Sequence, residues 1–156
     1  NPVVKIKNFI WEAFSSHYVE MVKARAYNQD GIFSKEESDG ARWTLYYCLE
    51  NLLKLLAPVI PLMTFKIYRD LWKGDIHFED FPKVSKKVSV GFKGRDLMEL
   101  NSKIWKAKKD KGKGLRDSIG ELYVNNKFKK LEKDLKACHG AEDLSYGNFK
   151  VVLDGK

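Results

Sequence analysis

Apolar residues recur at helical spacing through most of the first half of this chain. Over residues 2–28 they form a stripe that additional aromatic residues widen. This pattern predicts a long helix that packs against neighbours on two sides. Ser34 and Glu37 have the spacing of a capping box, and apolar residues follow at three- and four-residue intervals. A second helix is therefore predicted over residues 34–57.

The stretch LLAPVIPLMTFKIYRDLW, residues 55–72, is the most apolar part of the chain. Its apolar run stops at Lys66, well short of the roughly 20 residues that cross a bilayer, so no membrane association is expected. Pro58 ends the second helix, and Pro61 suits the first turn of a third helix over 62–73. We expect the apolar residues to form a buried corner between these two helices.

The second half of the chain mixes helical and strand patterns. Helices are predicted at 95–111 and 128–139, and strands at 119–124 and 149–153, so that sheet occurs only after residue 85. Val88, Val90 and Phe92 also alternate with polar residues, as in a short strand.

These elements predict a mainly α fold, in which an antiparallel helical bundle is followed by a small α/β subdomain. The connecting segment places the bundle at residues 1–84 and the subdomain at 85–156.

The net charge differs between the same two regions. Residues 1–84 carry no net charge, whereas residues 85–156 carry the entire +8 of the chain. This asymmetry suggests that the second region faces a polyanion.

The densest basic stretch is KIWKAKKDKGKGLR, residues 103–116, with seven basic residues and one acidic residue in fourteen. Cations at this spacing can follow a phosphate backbone, and an aromatic side chain among them can stack on an unpaired base. A lysine-rich solvated helix with its tryptophan in the core has the same pattern, and the stretch alone does not separate the two. The candidate nucleic-acid contacts here are Lys103, Trp105, Lys106, Lys109, Lys113 and Arg116.

The sequence contains no motif typical of catalysis or metal binding. The three histidines lie far apart, and no Cys-x-x-Cys, phosphate-binding loop or Gly-x-Ser-x-Gly element is present. We therefore expect no catalytic residue, no metal and no cofactor in this chain. Cys48 and Cys138 are far apart in sequence, which favours a reduced, cytoplasmic protein.

Four stretches resemble the C-terminal anticodon-binding region of class I aminoacyl-tRNA synthetases, and valyl enzymes of the archaeal type are the most similar. They are NFIWEAFSSHYVEMVKARAY (8–27), RWTLYYCLENLLKLLAPVIPLMTFKIYRDLW (42–72), IHFEDFP (76–82) and ELNSKIWKAKKDKGKGLRDSIGELYV (99–124). The shared features of the first two are the aromatic pattern of the first helix and the leucines that lead into Leu-Ala-Pro.

The resemblance implies that the bundle binds tRNA, valine tRNA in particular, through its anticodon. Catalytic and editing domains elsewhere in the parent chain would join valine to tRNA with ATP and Mg²⁺. The His-Ile-Gly-His and Lys-Met-Ser-Lys-Ser signatures of catalysis are absent here, and the chain does not begin with methionine. We therefore expect a fragment without the catalytic site. By the same resemblance, Lys23, Arg25 and Arg42 are candidates for anticodon contacts.

Two other interpretations remain open from the sequence. The parent could be an isoleucyl- or leucyl-type synthetase, because no residue here belongs to the amino-acid pocket. Alternatively, the wide apolar helix over residues 2–28 could bind a partner helix in a protein-interaction module without any RNA role.

Overall fold

The computed structural model describes residues 1–83 and 90–153. The first predicted helix is confirmed as an uninterrupted helical run of three segments, α1 (Pro2–Asn8), a π-helix (Phe9–Val19) and α2 (Glu20–Tyr27). The side chain of Asn1 caps it by accepting a hydrogen bond from the Val3 amide at 2.9 Å. The sequence pattern did not predict the π-helical centre, whose wider turns rotate the side chains of this stretch away from the expected α-helical stripe.

Asn28 ends the helix in the left-handed conformation, with φ 46°. Its side chain then closes the following turn. The carboxamide donates to the Phe33 carbonyl at 2.7 Å and accepts from the Phe33 amide at 3.0 Å. This bridge places the start of the next helix directly after the turn.

Helix α3 (Lys35–Leu56) begins with the predicted capping box. The Glu37 amide donates to Ser34 Oγ at 3.2 Å, and the Ser34 amide donates to Glu37 Oε2 at 2.8 Å. Helix α4 (Pro61–Trp72) has Pro61 at its first position, as predicted, and a 3₁₀ turn (Ile76–Phe78) follows. Both helix starts therefore follow from local sequence rules.

The expected burial of the proline corner is wrong. Leu62 is 82% exposed and Met63 64% exposed, and Val59 and Ile60 are also exposed. The α3–α4 contact is made by Leu53 of α3 and Ala57, the residue after it, with Tyr68 of α4 and Ile76 of the 3₁₀ turn. Phe65 and Trp72 flank this cluster. The prolines set the turn, but the apolar side chains at positions 59, 60, 62 and 63 are exposed.

Helix α5 (Gly94–Asp110) precedes a three-stranded sheet. Strand β1 (Ile119–Val124) lies in the centre, parallel to β2 (Ala141–Tyr146) and antiparallel to β3 (Lys150–Val152). A 3₁₀ turn (Asn126–Leu131) and α6 (Glu132–His139) connect β1 to β2. The mainly α fold with a small α/β part is confirmed.

Three features of this region differ from the sequence prediction. Strand β2 was not predicted, because AEDLSY lacks a strict apolar alternation. The helix expected from residue 128 begins as a 3₁₀ turn. Val88 and the boundary at residue 84 lie outside the described residues, whereas Val90 and Phe92 are not in a strand. The division into regions 1–84 and 85–156 therefore stays a prediction.

Helix α2 packs on two sides, as its apolar surface predicted. Met21 belongs to the core of the α/β part, where the fully buried residues include Ile104, Ile119, Leu122 and Leu135. Its neighbour Val22 joins Ala26 and Ala41 in a separate cluster against α3. One short helix thus connects the helical and the α/β parts. None of the helices in residues 1–83 and 90–153 is long and apolar enough to cross a membrane.

The burial of Ile104 and the exposure of Leu62 allow a matched test of this core. We predict that Ile104→Ala lowers the free energy of unfolding by about 2–5 kcal/mol, because it leaves a cavity in the α/β core. Leu62→Ala should change it by less than about 0.5 kcal/mol. Urea denaturation of both variants measures these values, and a large loss of stability in Leu62→Ala would show that the corner is buried after all.

Candidate nucleic-acid interface

The basic stretch of residues 103–116 begins on the outer face of α5. Lys103, Lys106 and Lys109 are exposed, whereas Leu100 and Ile104 point into the core. Arg116, in the loop after the helix, is exposed as well. Within the described part of the chain these four cations have no ion-pair partner. Their charge is therefore available to a polyanion in solution.

Two other candidates from this stretch take part in internal contacts. The ring of Trp105 is half-buried, stacks on His17 with 5.1 Å between ring centroids, and meets the edge of His139 at 6.0 Å. Lys113 is also half-buried, and its Nζ donates to the Ser118 carbonyl at 3.2 Å. Trp105 thus packs between the first helical run and α6.

Lys108 lies in the middle of the basic stretch but is fully buried. Its ammonium group donates three hydrogen bonds to backbone carbonyls, to Leu115 at 2.9 Å, Asp117 at 2.6 Å and His139 at 2.7 Å. Burial lowers the pKa of this amine. The three carbonyls belong to the loop after α5 and to the end of α6, so Lys108 ties the basic loop to the core.

The sequence contained a signal for this role. Lys108 follows Ile104 by four residues, which places it on the inward face of the helix.

Next to Lys108, His139 Nε2 lies 3.0 Å from Asn101 Oδ1, and both side chains are fully buried. Burial and the Lys108 charge lower the pKa of His139 to about 3, so this imidazole is neutral at physiological pH.

A second feature is a groove between the end of the first helical run and α3, here called the α2–α3 groove. Its apolar floor is formed by Val19, Ala26, Leu45 and Leu49, and its other lining residues are Lys23, Tyr27, Arg42 and Tyr46. Tyr27 is 72% exposed and Tyr46 43% exposed. The groove therefore offers two accessible aromatic rings and two cations around an apolar floor.

The Arg42 side chain is held in place at this groove. Its Nε donates to the Ala26 carbonyl at 2.7 Å, and a terminal nitrogen lies 3.3 Å from Asp39 Oδ1. Lys23 pairs with Glu20, one turn earlier on the same helix. Two of the three candidates from the family resemblance, Lys23 and Arg42, are thus brought together.

Arg25, the third of these candidates, makes a different contact. Its Nε lies 2.9 Å from the carboxylate of Asp134 on α6. Burial raises the pKa of this carboxyl, although the charge of Arg25 opposes the rise. The pair links α2 to α6, which gives Arg25 a structural role in this arrangement.

Tyr27 and Tyr46 were missed as site residues. Tyr27 is the last residue of α2, and Tyr46 follows Arg42 by one helical turn, so proximity to the charged candidates was the available signal. Trp43 and Tyr47 form another exposed pair on α3, stacked at 5.2 Å. No group of three or more His, Cys, Asp or Glu side chains in the described residues could hold a metal ion.

This chain is similar to known proteins over most of its length. A family model described as the anticodon-binding domain of tRNA ligase matches residues 1–123. A valine–tRNA ligase of Pyrobaculum aerophilum is 39% identical over 157 residues, which cover 98% of this chain and 20% of the relative. Relatives of the same name from Aeropyrum pernix and Ehrlichia canis are 32% and 33% identical, over 93% and 92% of this chain and 18% of each relative. The chain spans about a fifth of the length of the curated relatives it matches.

The contrast between Lys108 and Lys106 gives a prediction about the basic loop. Lys108→Met should lower the free energy of unfolding by about 2–4 kcal/mol, because three carbonyls lose their shared donor. Lys106→Met, on the exposed face of the same helix, should change it by less than about 0.5 kcal/mol. Denaturation compares the two, and hydrogen exchange should show faster exchange in residues 111–118 of Lys108→Met alone. Equal stability of both variants would contradict the structural role of Lys108.

Proposed function

Because the chain belongs to the family of anticodon-binding domains of tRNA ligases, we propose that it is the anticodon-recognition segment of a valine–tRNA ligase. In this proposal the α2–α3 groove receives an unpaired anticodon base. The exposed cations of α5 and its following loop hold the phosphate backbone.

The observation that carries the proposal is the composition of the α2–α3 groove. Anticodon bases are unpaired, so a protein can stack them on aromatic rings and hydrogen-bond their edges. Tyr27 and Tyr46 supply rings, and Lys23 and Arg42 supply donors beside an apolar floor. Arg42 is also fixed by its bond to the Ala26 carbonyl, which reduces the entropy lost when a base binds.

Backbone contacts fit the outer face of α5 for a different reason. Phosphates carry no sequence information, and proteins bind them with cations that are free to replace counterions. Lys103, Lys106, Lys109 and Arg116 are exposed and have no ion-pair partner among the described residues. They are suited to positioning a tRNA without selecting it.

The activity of the whole protein is part of the proposal. The parent enzyme would ligate valine to valine tRNA with ATP and Mg²⁺ in the cytoplasm, through catalytic and editing domains beyond the segment described. The relatives named above are all valine–tRNA ligases, which supports valine over isoleucine or leucine. The family match supports an RNA role over a module that binds only proteins.

The groove assignment predicts the effect of removing one ring. Tyr27→Ala should weaken binding of a valine anticodon stem-loop by about tenfold or more, since one stacked base contributes this much. Phe78→Ala removes an even more exposed ring, which lies outside the groove, and should leave affinity unchanged. Fluorescence anisotropy with a labelled stem-loop measures both. Equal affinities of the wild type and Tyr27→Ala would exclude stacking at this residue.

The α5 assignment predicts a change in salt dependence. Replacing Lys106, Lys109 and Arg116 together by glutamine should weaken binding of cognate and non-cognate tRNA to a similar extent. The slope of log affinity against log salt should flatten by about 0.7–0.9 for each lost contact. Anisotropy over a salt series checks both effects, with Lys5→Gln on α1 as the control. An unchanged slope would mean that these side chains form only a solvated face.

A further inference from the structure

A polar groove separate from the α2–α3 groove lies where the two parallel strands end. Strand β1 ends at Val124 and β2 at Tyr146, and the Gly147 amide donates to the Val124 carbonyl at 2.9 Å. This bond holds the two following turns together at one edge of the sheet. In open α/β sheets, ligands bind in the crevice outside the carboxyl ends of the strands.

The lining of this strand-end groove comes from three parts of the chain. Helix α5 contributes one wall, the turn after β1 a second, and the turn between β2 and β3 a third. The lining includes Lys103, Asn125, Lys127, Phe128, Asn148 and Phe149. A shallower groove beside it shares Asn125 and Asn148 and adds Asn126. The combined surface is therefore rich in carboxamides.

An aromatic ring is accessible at the same place. Phe149 is 42% exposed, whereas Phe128 is buried in the α/β core. The ring of Phe149 stands in a turn of polar residues and is not a member of that core. An exposed ring beside carboxamide groups is the combination that proteins use to stack a nucleobase and hydrogen-bond its edge.

Two acids and two lysines line the groove, so the lining carries no net charge, but one of the lysines is left without an ion-pair partner among the described residues. The acids are Asp96 and Glu99, and each has a basic partner. Lys127 Nζ lies 3.1 Å from Asp96, and Arg95 Nε lies 3.6 Å from Glu99. Lys103 has no ion-pair partner in residues 1–83 and 90–153. Lys103 is thus the lysine of the lining that has no ion-pair partner in this part of the chain, so it can bind an anion.

We propose that the strand-end groove binds a nucleotide. Phe149 stacks on the base, Asn148 hydrogen-bonds its edge, and Lys103 binds its phosphate. Asn125 Oδ1 already accepts from the Lys127 amide at 2.9 Å, so Asn125 contributes only its Nδ2 donor. A carboxamide can form two hydrogen bonds with the edge of adenine, so an adenine nucleotide is the expected ligand. The nucleotide is either free or part of an RNA strand. Only the RNA source depends on the proposed function. The groove shares Lys103 with the proposed phosphate-binding face of α5, but it shares no residue with the α2–α3 groove.

Amide NMR of the 156-residue chain tests the site with adenosine 5′-monophosphate as the probe. We expect shifts centred on residues 125–126 and 147–149, and weaker effects of ribose 5-phosphate, which lacks the base. Phe149→Ala should weaken binding of the nucleotide by about tenfold. Phe81→Ala removes an exposed ring outside the groove and should bind as the wild type does. Lys103→Gln should weaken both probes.

A second arm of the experiment separates the two sources. If tRNA also loses about tenfold in affinity in Phe149→Ala, the bound nucleotide belongs to RNA. If tRNA affinity is unchanged while the mononucleotide is lost, the groove serves a free nucleotide. Thermal unfolding checks that Phe149→Ala is folded. Asn148→Asp serves as a second variant, because it places a negative charge in the exposed turn. Shifts elsewhere in the chain, or nucleotide binding by both variants as in the wild type, would overturn the proposal. Tyr27→Ala leaves this groove intact, so its result bears only on the anticodon assignment.

Discussion

The two-sided packing of helix α2 is the constraint on which the rest of the structure depends. Met21 enters the α/β core, and Val22, the next residue, packs against α3. The Arg25–Asp134 pair adds a charged contact to α6. Since α2 also supplies Lys23 and Tyr27 to the α2–α3 groove, the geometry of that groove depends on both cores at once.

Local sequence rules predicted most helices but not the surroundings of their side chains. The capping box at Ser34, the start at Pro61 and the limits of α5 follow from interactions within a few residues. The exposure of Leu62 depends instead on which helices pack over the corner, and strand β2 forms because β1 pairs with it. These tertiary effects leave little trace in the periodicity of a short segment.

The candidate site was only partly predictable from the sequence. Helical spacing predicted the shared outer face of Lys103, Lys106 and Lys109, whereas no sequence pattern placed Lys23 and Arg42 in one groove. Arg25 and Lys108 have the same charge as these residues. Arg25, however, forms an ion pair with the Asp134 carboxylate, and the buried Lys108 donates hydrogen bonds to three carbonyls. Whether a cation faces solvent or the core depends on tertiary packing, which composition and charge counts do not predict.

The central claim is that an anticodon base lies in the α2–α3 groove, and photo-crosslinking tests it most directly. An anticodon stem-loop of valine tRNA would carry a photoreactive base at each anticodon position in turn, and mass spectrometry would identify the crosslinked residues. The account predicts crosslinks to Tyr27 or Tyr46 from at least one anticodon position. Crosslinks confined to residues outside 19–27 and 42–49, from all three positions, would contradict it.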